Sequence, residues 1–81
     1  MKIKAAVIQF DVKAGAVANN MRRAETLLTE AIRQGGELML LPELWNTGFD
    51  LERIADLAQD LRGEAVSMLR DMAARHGVTI I

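Results

Sequence analysis

The chain has 81 residues, 10 basic against 11 acidic, a formal net charge of −1 and no cysteine. Its basic residues are dispersed among acidic ones, so there is no electrostatic footprint for nucleic acid. The missing thiols exclude disulfides and a cysteine nucleophile within this chain, which fits a cytoplasmic setting. About half of the residues are apolar, an ordinary share for a globular α/β chain. A chain this short buries only roughly 60 to 65% of its unfolded surface, so its stability alone is expected to be marginal.

In chain order, Ile3 to Phe10 is apolar on both alternating faces and predicts a central strand ending near Gln9 or Phe10. The apolar run after Lys4 stops at Gln9 and lacks a small-residue cleavage site, so it does not read as a signal peptide. No segment approaches membrane-spanning length. Residues 11 to 18 predict a loop, with Asp11 in a turn or cap role. Asn19 or Asn20 then supplies an N-cap oxygen to a helix whose apolar line is Met21, Ala24, Leu27, Leu28, Ala31 and Ile32. Gly35-Gly36 ends that helix, and Leu38 to Leu41 reads as a strand buried on both faces, completing a β-α-β unit with a right-handed crossover.

Asp50 can cap a second helix carrying Leu51, Ile54, Leu57, Ala58 and Leu61, stopped at Gly63. A third helix spans about residues 64 to 76, with Ala65, Leu69, Met72 and Ala73 as its apolar line and Gly77 as its stop. Val78 to Ile81 opens a third strand. A bare apolar strand is an unusual place for a domain to finish, so residues 1–81 are expected to be a partial domain, truncated in the third strand. No linker or repeat divides the chain.

The segment with most chemical content is Leu41-Pro42-Glu43-Leu44-Trp45-Asn46-Thr47-Gly48-Phe49. Pro42 cannot donate the next ladder hydrogen bond, so the strand stops there and Glu43 stands at its carboxyl end, where open α/β sheets bind ligands. By position, Glu43 reads either as a general base or as a solvated loop acid. Trp45, Asn46 and Phe49 either line a substrate pocket or pack and satisfy the loop. His76, alone and in a last helical turn, reads as a favourable dipole position, and nothing indicates a metal or cofactor. Gly35-Gly36 precedes a strand rather than opening a helix, so it is not a phosphate loop.

Leu41-Pro42-Glu43 followed by Gly48-Phe49, with Gln9 ending an earlier apolar strand, resembles the start of the nitrilase, or carbon-nitrogen hydrolase, superfamily. The resemblance covers essentially the whole chain but only about the first third of such a domain. It implies the N-terminal part of an αββα sandwich and hydrolysis of small amides or nitriles by a glutamate, a lysine and a cysteine. Glu43 matches the first of these as general base. Lys2, Lys4 and Lys13 all precede the glutamate, whereas the family's lysine and cysteine follow it, so neither role transfers and the isolated chain is expected to be inactive. A tyrosine often stands in the family where Phe49 does, and Trp45 gives the chain the look of members acting on ω-amides of small keto acids. The expected associations are a small amide or nitrile substrate and a homo-oligomer, or completion by the rest of the domain, without nucleic acid or membrane. The other reading is a noncatalytic α/β interaction or ligand-binding module, or a subunit completed by another chain.

Overall fold

A computed structural model describes residues 2–43, 45 and 63–81. Its elements are β1 (Ala5–Val7), α1 (Val17–Arg33), β2 (Leu38–Leu40), α2 (Glu64–His76) and β3 (Thr79–Ile80). The strands form one parallel sheet in the order β1-β2-β3, as the β-α-β patterning predicts. Parallel neighbours cannot be joined by a tight hairpin, and in the first crossover the connecting chain is α1. Register pairs Ala5 with Leu38 and Val7 with Leu40, then Leu38 with Thr79 and Met39 with Ile80.

The core lies between one face of this sheet and the two helices. Ala24 and Leu28 of α1, Met72 of α2 and Met39 of β2 are buried together with Ile8. Around them pack Ala6, Leu27, Ala31, Ile32, Met68, Leu69 and Ile80, the residues that helical spacing and strand alternation select. Burying side chains such as Leu28 and Met39 contributes about 1.5 to 3 kcal/mol each. α2 matches its predicted span. Glu64 lies in its first turn and Arg75 and His76 in its last, each sign complementing the helix dipole. Gly77 closes it at φ 64°, where a Cβ would be strained, and its N–H donates to the Ala73 carbonyl.

Four expectations are corrected or fall outside this description. β1 is an edge strand of the described sheet rather than a central one. Among the described residues the sheet is covered on one face only: Ile3, Val7, Leu40 and Ile81, all of the parity facing away from the helices, are 60%, 66%, 36% and 70% exposed. The both-faces-apolar pattern of β1 and β2 is therefore present, with its second half uncovered by described residues. α1 starts at Val17 after Ala16, which offers no side-chain cap, and not at Asn19 or Asn20. The helix expected over residues 51 to 61 lies outside the described residues, so of three expected helices two are described.

An uncovered apolar face of this kind associates in water. The isolated 81 residues should sediment as species larger than the 8.9 kDa monomer, and a Val7→Glu, Ile81→Glu double variant should shift them toward monomer. A monodisperse wild-type monomer that melts cooperatively would contradict the exposed face.

Candidate active site

The site is built by the way β2 ends. The Leu41 N–H still donates to the Ile81 carbonyl and the Ile81 N–H to the Met39 carbonyl, both at 2.8 Å, so pairing with the third strand runs one residue past each element. Pro42 then has no N–H to offer, and Glu43 follows in a turn with its side chain exposed. Trp45 is half-buried on the same turn. Asn46 and Phe49, the other candidate lining residues, lie outside the described residues. Glu43 is thus an exposed carboxylate at the carboxyl edge of a parallel sheet, on its middle strand. It can accept a proton or a hydrogen bond there, while the apolar surroundings that suit a general base are not supplied by the described residues.

Beside it is the carboxyl end of β1. The Ile8 N–H donates to the Leu40 carbonyl at 2.8 Å, and three residues beyond the last registered pair, Val7 with Leu40, come Phe10 and Glu43. The β1–α1 loop that follows Phe10 therefore flanks the Glu43 turn. Asp11 and Lys13 are exposed on this loop. Asn20 is the residue that sequence reasoning misassigned. It is fully buried, and its side chain bonds both backbone groups of Lys13: the Lys13 N–H donates to Oδ1 at 3.0 Å and Nδ2 donates to the Lys13 carbonyl at 2.8 Å. The available signal was its place in the apolar stripe, four residues before Ala24 and eight before Leu28.

Other described features lie away from this edge. A groove of about 370 Å³ runs along the outer side of β1, between Lys4 to Gln9 and the flank of α1 at Leu27, Glu30, Ala31 and Gln34. Lys4 Nζ donates to the Gln34 carbonyl at the C-terminal end of α1, so Lys4 serves the fold rather than the site. His76 is exposed on α2. Among the described residues no group of three or more His, Cys, Asp or Glu is placed to hold a metal, and no helix is long and apolar enough to cross a membrane. The Glu30 carboxyl is lowered to about 2, by hydrogen bonds from the Arg33 guanidinium at 2.5 and 3.0 Å and from the Gln34 amide at 2.9 Å. Perturbed groups often mark function, but this one is an exposed i,i+3 pair on the outer face of α1 and is explained by its own neighbours.

A parallel sheet ending in Leu41-Pro42-Glu43, with a structured loop beside it, is the frame of an α/β enzyme's carboxyl-edge site. Residues 4–81 match the family model described as carbon-nitrogen hydrolase, and the chain belongs to that family. It is 35% identical over 81 residues to a 2-oxoglutaramate amidase of Bacillus subtilis (strain 168), covering 100% of this chain and 31% of that protein. A nitrilase of Pyrococcus abyssi is 35% identical over 83 residues (98% and 32%), and the omega-amidase NIT2 of Danio rerio 31% identical over 80 (99% and 28%). The chain spans about a third of the length of these curated relatives.

The Glu30 pair makes a pH prediction with a definite sign. A carboxyl depressed in the folded state stabilises above its unfolded value near 4.5 and loses that contribution as pH falls toward about 2. Because the pair is exposed, the effect on stability should be small and screened by salt. An NMR titration should show the Glu30 midpoint raised toward the ordinary glutamate range in Arg33→Ala, where the Gln34 bond remains; an unchanged midpoint would refute the cause given.

Proposed function

We propose that the chain is the N-terminal part of a hydrolase that cleaves the carbon–nitrogen bond of small amides or nitriles, with Glu43 as its general base. The observation that carries this reading is the position of Glu43 in a family member: directly after Pro42, at the carboxyl end of the middle strand of a parallel sheet. In the reaction, a thiol attacks the amide carbonyl or nitrile carbon while Glu43 takes the thiol proton. A lysine ammonium stabilises the negative charge that develops on the tetrahedral intermediate. With an amide, Glu43 then returns the proton to the leaving nitrogen, ammonia departs and a thioester remains. With a nitrile the attack gives a thioimidate, which first adds one water to reach the same tetrahedral stage before ammonia leaves. A water deprotonated by Glu43 finally adds to the thioester and breaks its carbon–sulfur bond, the thiol taking the proton back as the acid is released. On this reading the lysine and cysteine would come from further chain, these 81 residues matching about a third of the relatives' length. Small ω-amides of keto acids are the favoured substrates, supported by relatives named 2-oxoglutaramate amidase and omega-amidase and by Trp45 following Pro42-Glu43-Leu44. Trp45, Asn46 and Phe49, which follow Glu43 in the sequence, are the candidates on this reading for contact with substrate.

The uncovered face of the sheet supports completion by further chain. Sheets built of parallel strands are normally covered on both faces, and Val7, Leu40 and Ile81 present an apolar surface suited to a second sheet packed back to back. That arrangement, with α1 and α2 outside, is the αββα sandwich. The same face also suits a noncatalytic module completed by another chain; turnover separates the two.

The isolated 81 residues, having no thiol, should show no amidase activity above background. In a chain that continues past Ile81 with the lysine and cysteine, hydrolysis of a small ω-amide should appear, and Glu43→Gln should lower kcat by at least about 10² to 10⁴ while leaving the fold intact. Turnover by the 81 residues alone, or full activity in Glu43→Gln, would overturn the assignment.

A further inference from the structure

Asn20 sits one turn into α1 and has no exposed surface. A polar side chain in that place commonly caps its own helix or bonds water. Here it reaches back seven residues and grips both the N–H and the carbonyl of Lys13, at 3.0 and 2.8 Å. The same carbonyl accepts the Ala16 N–H at 3.1 Å, and the Asn20 N–H donates to the Ala16 carbonyl at 2.9 Å, so loop and helix start form one closed network. Gly15 completes the turn at φ 75°, a conformation that a side chain would disfavour. The α1 start meanwhile forgoes a side-chain cap at Ala16. An amide carries on one carbon both the acceptor and the donor that this grip requires.

We propose that Asn20 is a positioning residue which, through Lys13, fixes the β1–α1 loop as one wall of the Glu43 site. The proposal rests on the amide-hydrolase reading given above. β1 and β2 are parallel and registered at Val7 and Leu40, so this loop leaves the sheet next to the Glu43 turn. A wall at a carboxyl edge selects and orients substrate only if it holds still. Asn20 gives it a buried anchor on α1, whose Ala24 and Leu28 are themselves locked into the core. It acts through the Lys13 backbone, so its loss should weaken substrate binding more than the chemical step.

The test is steady-state hydrolysis of 2-oxoglutaramate, the ω-amide of a keto acid, by a chain that continues past Ile81 and by two variants of it. Asn20→Leu keeps the branched shape and removes both bonds to Lys13; Asn20→Asp keeps the acceptor for the Lys13 N–H and removes the donor to its carbonyl. The expected result is a KM raised about tenfold or more in Asn20→Leu and about threefold in Asn20→Asp, with kcat within about threefold of wild type and faster amide exchange at Lys13 in both. Lowered thermal stability with an unchanged KM in the folded variants would overturn the positioning role. If Asn20→Leu does not fold, Asn20→Asp decides alone. A wild-type protein without turnover would refute the hydrolase reading, and this proposal with it; an active wild type whose KM survives both substitutions refutes the role of Asn20 only.

Discussion

Everything in this molecule hangs on β2. It is the middle strand, paired in parallel on both sides, and its core-facing Met39 is completely buried beneath α1 and α2. That one strand unites the sheet with both helices: removing its partners would leave each helix with an apolar stripe and nothing to cover it. The crossovers that parallel pairing demands keep both helices on one face, where Leu28 from α1 and Met72 from α2 close over Met39. Pro42 then ends the strand by chemistry rather than by chance, because it has no N–H for the ladder.

The consequence for function is positional. A strand fixed in the middle of a sheet cannot slip by one residue without turning Met39 outward, so register and burial together determine where the next residues emerge. Glu43 comes out at the carboxyl edge, beside the loop that leaves β1 and that Asn20 ties to α1. The sheet's other face is apolar and bare of described residues. On the proposed hydrolase reading, this edge would supply one carboxylate and one anchored loop, and the opposite wall and the remaining catalytic groups would come from further chain.

Much of this was legible in the chain. α2 could be read to its ends because Glu64, the Ala65-Leu69-Met72 line and Gly77 agree at every level: charge, periodicity and cap. β2 was legible from Leu38 to Leu41 with Pro42 as a stop. The start of α1 was not, because local rules assign an asparagine near a helix start to capping, while tertiary structure recruited Asn20 to bond a backbone seven residues earlier. The edge position of β1 was not legible either, since an apolar pattern on both faces reports what a strand is built to be covered by, and not which neighbours a given stretch of chain contains. Leu41-Pro42-Glu43 marks Glu43 as a candidate and places it after the strand, but its exposure depends on surroundings that no local pattern encodes.

The most direct test of the central claim, that Glu43 is the base for a thiol nucleophile, is the pH dependence of cysteine alkylation by iodoacetamide in a chain extended beyond Ile81, with and without Glu43→Gln. A free thiol near its usual pKa of about 8.5 loses roughly tenfold in thiolate for each pH unit below it. With Glu43 present, alkylation should stay fast well below that range; in Glu43→Gln it should fall off with the slope of an ordinary thiol. Superimposable profiles for the two proteins would contradict the claim.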